Sequence, residues 1–222
     1  MTTSVRTTHP CRTHPRCDGS RRSHGAHRRL IRSLKHSELD RLGHTRSLAC
    51  VPPDRYGPPV QPLEIVAPSF VEMAHRIVWC TVATVDASGA PRTRVLHPIW
   101  EWDGDALTGW IATSPLSPKA DHLAAPGGNR MSLTYWASDH DTCTADCTVS
   151  WDDSPKQLAE GWQRFADAPQ PVGYDPAIIP GWDSPESPRF GIIRLRPTSL
   201  RVMPGSFMMA GQGQLLSWRS PN

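Results

Sequence analysis

The stretch SPLSPKADHL, residues 114–123, gathers Ser114, Ser117 and Lys119 where an apolar run, LTGWIAT, gives way to a short helical pattern. Ser117 suits an N-cap, Pro118 the first helical position, and KADHLAA carries the turn towards Pro126. The first N–H groups of a helix lack intrahelical partners, and the macrodipole adds partial positive charge at that end. Two hydroxyls and an ammonium at such a place suit a phosphate. Arg94, on a neighbouring strand pattern, adds a planar guanidinium that can clamp two oxygens at once. The same residues also compose an ordinary Ser-Pro helix start with a solvated lysine. The local pattern alone does not choose.

The elements that must position these groups are short strands. FVEMAHRIVWC reads as a short helix or lead-in, and IVWCTVATVD (77–86) as a strand with Val78, Cys80, Val82, Thr84 and Asp86 on one side. ASGAP (87–91) is a turn, RTRVLHPIWEW (92–102) the returning strand, and DGD (103–105) a second turn before ALTGWIATS (106–114). Three strands joined this way predict an antiparallel meander. RMSLTYWAS (130–138) and TADCTVSW (144–151) are further strands. DSPKQLAEGWQRFA (153–166) is a helix capped by Ser154, with Leu158, Trp162 and Phe165 at helical spacing. A Pro/Gly-rich loop spans 168–189, FGIIRLRPTSLRVMP (190–204) is a strand with Pro197 marking an edge or bend, and QLLSWR (214–219) closes the pattern. The reading is a mainly β (α+β) fold, a barrel or strongly bent antiparallel sheet with a few short helices.

Charge divides the 222 residues unevenly. Residues 1–60 carry 12 Lys and Arg against 4 Asp and Glu, whereas the rest carry 12 against 17. All nine tryptophans lie in the second part. Residues 1–62 therefore read as a basic extension unable to bury a core, with a transient helix around 28–42, and 63–222 as the folded domain. An internal start at Met73 would make the extension incidental. The absence of aromatic interleaving or a known module argues against nucleic acid as its partner. His9, Cys11, His14 and Cys17 match no zinc spacing. No apolar run reaches the ~18 residues of a membrane helix, and the basic start lacks the apolar core of a secretory signal. A cytoplasmic protein with free thiols and no membrane partner is the expectation.

In order and spacing, PRTRVLHPIWEWDGDALTGWIATSPLSPKADHL resembles the FMN-binding split-barrel proteins typified by pyridoxamine 5′-phosphate oxidase. The elements that carry the likeness are Arg94-Val95-Leu96, then Trp110 to Thr113, then Ser114, Ser117 and Lys119, with NRMSLTYW and DDSPKQL following in order. The resemblance, over roughly 65–219, implies a split β-barrel of antiparallel strands that forms a homodimer with two flavin sites at the subunit interface. It places Arg94, Ser117 and Lys119 around the flavin phosphate, with Thr113 and Ser114 nearby. Val95, Leu96, Trp110, Ile111 and Ala112 would lie along the ring and ribityl chain. The implied activity is an FMN-dependent oxidoreductase acting on a small-molecule substrate. A deazaflavin coenzyme is the alternative cofactor, and some relatives bind haem or only carry flavin. The Arg-x-His substrate element of the oxidase itself is missing here, and Ala168 to Arg189 is instead rich in Pro, Trp and Asp.

The sequence names no catalytic acid or base. His97 stands either near the ring or packed before Pro98, and His122 reads as solvated or capping. Asp139, His140 and Asp141 read as a polar turn. Cys143 and Cys147 share a strand face without Cys-x-x-Cys spacing, and Trp136 and Trp182 are candidates to line a pocket.

Overall fold

One antiparallel sheet organises the chain. In the computed structural model, which describes residues 59–221, eight strands form the order β2-β1-β5-β6-β7-β4-β3, with β8 added to β7. The helix read at 28–42 and the His9, Cys11, His14 and Cys17 group lie outside the described residues. Helix α1 (Leu63–Ile77) leads into β1 (Cys80–Val85) and β2 (Pro91–Leu96), then β3 (Pro98–Trp102) and β4 (Leu107–Thr113). Helix α2 (Pro118–Ala124) precedes β5 (Arg130–Trp136) and β6 (Thr142–Asp152), and α3 (Pro155–Asp167) precedes β7 (Gly191–Met203). Helix α4 (Gly205–Ala210), which the sequence pattern did not suggest, and β8 (Leu216–Arg219) complete the chain.

The expected meander is corrected in one decisive place. Residues 92–102 are two strands, broken at His97, and the halves pair with different neighbours. β2 pairs β1 (Val82↔Arg94), while β3 pairs β4 (Ile99↔Trp110). These are the opposite ends of the strand order, yet a single residue joins them. The sheet must therefore curl until its edges nearly meet, which is the split β-barrel. Curling protects both edges from pairing with other chains.

Alternation sets the inside. Cys80, Val82 and Thr84 of β1 are buried and Thr81 and Val85 exposed, as the period-two pattern requires. Helix α1 contributes Val66, Ala67, Phe70, Met73 and Ala74 to the main core, spaced three and four apart. Phe70 meets Trp100 edge-on at 5.0 Å, and Trp100 donates its indole N–H to the Tyr135 hydroxyl at 2.8 Å. A chain beginning at Met73 would lack Val66, Ala67 and Phe70 from this core. Helix α3 is capped as its sequence predicts, with Ser154 and Gln157 forming a reciprocal capping box. It approaches β7 so closely that a Cβ on Gly161 would stand 2.4 Å from Ile192.

Pro197 also finds its reason. β7 pairs β4 through Leu195 and β8 from Ser199, so Pro197 falls in the gap between two partners on that edge. Opposite it, the β6 register shifts between Asp146 and Cys147, a bulge that bends the strand. The Asp139–Asp141 group is a turn between β5 and β6, clamped by Arg76, which binds both carboxylates. Its Asp141 also accepts from the Gly205 amide at 2.6 Å.

The strand expected over 77–86 begins only at Cys80, because Ile77 ends α1 and the chain turns on Val78, with φ 72° and ψ −64°. The Trp79 amide donates to the Ile77 carbonyl at 2.9 Å, so Val78 is the centre of a classic-handed γ-turn, the strained form. A β-branched residue with positive φ costs about 1–3 kcal/mol. Val78→Gly is therefore expected to raise Tm by about 2–4 °C. Val82→Gly, in the core at ordinary strand geometry, should lower it. A fall of equal size in both variants would refute the strain.

Candidate functional site

The residues of SPLSPKADHL are drawn together by the end of β4. Lys119 is only 7% exposed, and its ammonium donates to Thr113 Oγ1 at 2.7 Å and to Ser117 Oγ. Ser117 occupies the N-cap position of α2 but makes no side-chain cap. Its hydroxyl instead donates to the Ser114 carbonyl at 2.6 Å, and Ser114 Oγ accepts from the Leu116 amide at 3.2 Å. Arg94 stands close enough to lower the Lys119 pKa, and one of its N–H groups donates to the Val82 carbonyl at 3.2 Å.

Neither cation has a carboxylate. None of the ion pairs among the described residues includes Lys119 or Arg94. Burial, and then the Arg94 charge, push the Lys119 pKa down to about 8. Two neighbouring positive charges without a counter-charge, one of them buried, destabilise each other until an anion arrives. Donor accounting agrees. An ammonium has three N–H groups and two are used here, while a guanidinium has five and one is used. The charge comes from these side chains, because α2 is a helix of 7 residues with little macrodipole to offer.

His122 ties α2 to the sheet. Its Nδ1 lies 2.9 Å from Thr84 Oγ1 on β1, and Thr84 is 3% exposed. The solvated reading of His122 is thus corrected: the ring ties the lysine-bearing helix to the strand paired with Arg94. Thr84 gave no sign of this in sequence, since its partner is 38 residues away.

A cleft of about 380 Å³ has a wall that includes Trp79, Val95, Leu96, His97, Ala112 and Tyr174. Val95 is 61% exposed, and Ala112 adjoins Thr113, so phosphate grip and cleft share β2 and β4. The pairing of β3 with β4 stops at Pro98↔Ile111, leaving the backbone edge at Ala112 and Thr113 beyond the last β3 partner. The side chains of Trp110 and Ile111 are buried in different cores, Ile111 in the main one and Trp110 beneath α3. Both residues are also paired on either side, by β3 and by β7, so the free edge begins only after them. The far wall comes from the 168–189 loop, with Tyr174, Ile178, Ile179 and Trp182. Trp182 lines the cleft, whereas Trp136 is 60% exposed and rests against His140.

A larger cavity, about 560 Å³, opens beside α3 around His75, Glu101 and Arg164. Its one arginine is already engaged: Arg164 binds Glu101 at 2.7 Å and lies 3.8 Å over the Trp110 ring. His75 Nε2 accepts from the Trp100 amide at 3.0 Å, and burial lowers its pKa. The smaller cleft, built on the two strands that also carry Arg94 and Thr113, is the better place for chemistry.

The thiols are quiet. Cys80, Cys143 and Cys147 are free and buried, and burial pushes the Cys80 pKa up to about 12 and the other two higher than their ordinary value. Among the described residues no three His, Cys, Asp or Glu side chains gather as a metal site. Nor is any helix there long and apolar enough to cross a membrane.

No protein-family model matches the chain, and no curated protein matches it in sequence. Solved structures do. A protein from Clostridium acetobutylicum related to general stress protein 26, of the pyridoxinephosphate oxidase family, aligns at 12% identity and TM-score 0.50, over 71% of this chain and 94% of the other. Campylobacter jejuni ChuZ aligns at 13% identity and TM-score 0.53, over 72% of this chain and 61% of the other. A pyridoxamine 5′-phosphate oxidase-related, FMN-binding protein from Nostoc punctiforme aligns at 15% identity and TM-score 0.49, over 74% and 100%. At such identities the likeness to the first two shows the fold alone.

Proposed function

We propose, from the premise that the chain has the split-barrel fold of pyridoxamine 5′-phosphate oxidase-like proteins, that it is an FMN-dependent oxidoreductase. The observation that carries the reading is the buried Lys119 beside Arg94 with no carboxylate on either. A terminal phosphate supplies the missing negative charge and accepts their unused N–H groups. Lys119 and Arg94 would hold that phosphate, with the Thr113 hydroxyl beside it. Ser117 would serve mainly by orienting Lys119, because its own proton is given to the Ser114 carbonyl.

When bound, FMN supplies hydride or electron transfer to a small-molecule substrate. The chain's own part is to orient and to exclude water. Val95, Leu96 and Ala112 offer an apolar floor on the strands that carry the grip, and the Ala112–Thr113 backbone edge offers polar contacts without polar side chains. Trp79, Tyr174 and Trp182 restrict water on the opposite side. We further infer a homodimer, because Trp79, Val95 and Trp136 at 60–61% exposure leave large apolar groups for a second copy to cover.

The test is a titration of FMN into the purified chain, read by flavin fluorescence, with riboflavin in parallel. FMN should bind about 30-fold or more tightly than riboflavin, and Arg94→Ala should remove most of that advantage. Equal affinities would sink the phosphate grip. Binding of a phosphate-bearing deazaflavin but not FMN would keep the grip and overturn the cofactor. Reduction of the bound flavin by a nicotinamide separates an enzyme from a carrier.

A further inference from the structure

Four polar or charged side chains are buried among the described residues, Thr84, Thr113, Lys119 and Asp152, and three of them meet at α2. Burying such groups is costly unless each finds a partner. Here the partners link elements that the sheet keeps apart. Lys119 and His122 stand three residues apart and share one face of α2. Lys119 reaches Thr113 on β4, while His122 Nδ1 is hydrogen-bonded to Thr84 Oγ1 on β1. In the strand order β5, β6 and β7 lie between β1 and β4, so α2 bridges two strands that do not pair.

Strand β1 also holds the other cation. Arg94 pairs with Val82 across β1 and β2, and its guanidinium donates to the Val82 carbonyl at 3.2 Å. Val82 and Thr84 are two residues apart on the same buried face of β1. One strand thus holds Arg94 through a carbonyl and, two residues on, the lysine-bearing helix through a hydroxyl. The groups it brings together repel. Arg94 lowers the Lys119 pKa, and no ion pair among the described residues includes either cation. Left free, like charges move apart. Leu123 packs against the main core and seats α2, but an apolar contact is non-directional and lets a short helix turn. A hydrogen bond of 2.9 Å between two side chains is directional. We propose that Thr84 and His122 are positioning residues of the anion grip: their bond fixes the rotation of α2 and holds Lys119 beside Arg94 at a spacing that one phosphate can bridge. Both act through Lys119 rather than on the anion. The role rests on the flavin reading for its ligand, whereas the spacing of the two cations does not.

The experiment uses the full chain and two readouts. The first is the affinity for FMN and for riboflavin, by flavin fluorescence. Thr84→Val keeps the branched shape and loses the hydroxyl, and should weaken FMN about tenfold while leaving riboflavin unchanged. Thr84→Ser returns the hydroxyl and should return FMN affinity to near that of the parent. The second readout needs no flavin. The chain has three lysines, Lys35, Lys119 and Lys156, so carbon-13 NMR of lysine-labelled protein singles out Lys119 by the signal missing in Lys119→Met. Its midpoint, about 8 in the parent, should move up towards the ordinary 10.5 in Thr84→Val, as the ammonium leaves Arg94 and gains water. His122→Phe keeps a ring without the nitrogen, should reproduce both effects, and decides the matter if Thr84→Val does not fold. An unmoved Lys119 midpoint, equal losses of FMN and riboflavin, or no rescue by Thr84→Ser overturns the proposal. If the parent itself does not prefer FMN to riboflavin, the flavin reading falls and the lysine midpoint alone judges the positioning role. If the parent prefers FMN and the variants keep that preference, the positioning role alone falls.

Discussion

Lys119→Met lowers FMN affinity by about 2–4 kcal/mol, a factor of about 30 to 1,000, and leaves riboflavin affinity nearly unchanged. The magnitude is that of removing one member of a desolvated, hydrogen-bonded charge pair. The split between the two flavins isolates the phosphate. Free of FMN, the variant should be no less stable than the parent, because a buried cation without a counter-charge is replaced by an apolar chain of similar length. A lysine that served only the fold would show the reverse, lower Tm and unaltered flavin preference.

Acidity adds a second signature with a definite sign. The folded-state pKa of Lys119, about 8, lies below its ordinary value of 10.5. Between those values the unfolded chain holds more protons, so stability of the FMN-free protein rises with pH across the window. Below about 8 the lysine is charged in both states and the penalty is fully present. Lys119→Met should lack that rise. FMN affinity should move the other way, falling as pH passes about 8, because the phosphate needs the charged lysine. Chemical denaturation at several pH values, with and without FMN, checks both slopes. A parent whose affinity ignores pH from 7 to 10 would remove Lys119 from the site.

Phe165→Ala is expected to cost about 3–5 kcal/mol, lowering Tm by about 6–20 °C. Phe165 is fully buried in the second core between α3 and the sheet, with Ile99, Trp110 and Ile192. It also stands 5.3 Å from the Tyr174 ring and edge-on to His97. The cavity left behind would therefore loosen α3 and the cleft wall together. Beyond the Tm, limited proteolysis should find new cleavage within 168–189. Ile178→Ala, at a side chain 68% exposed, should change stability little and serves as the comparison. A Tm fall of less than about 3 °C for Phe165→Ala would show that the second core does not hold the loop.

Local chemistry was legible in the sequence. Turn residues at 87–91 and 103–105, the Ser154-Pro155 cap and the alternation of β1 each depend on neighbours a few residues apart, and each is present, although Pro91 already opens β2 and β1 starts only at Cys80. So does the gathering of Thr113, Ser114, Ser117 and Lys119, all within seven residues of chain. Where the chain must choose a distant partner, the pattern ran out. Residues 92–102 look like one strand because no turn sequence separates β2 from β3 at His97. Only the closing of the sheet sends one half to β1 and the other to β4.

What the sequence by itself determined is the set of strands, the turns between them, and a lysine and hydroxyls at the start of a short helix. The tertiary structure decided the rest. It buried Lys119, brought Arg94 beside it without a carboxylate, and anchored α2 through His122 to Thr84. It also turned a Pro/Gly-rich loop into the aromatic wall facing His97. The physical reason is range. Backbone preferences act over a few residues, whereas burial and unbalanced charge exist only once segments far apart in the chain exclude water from one another.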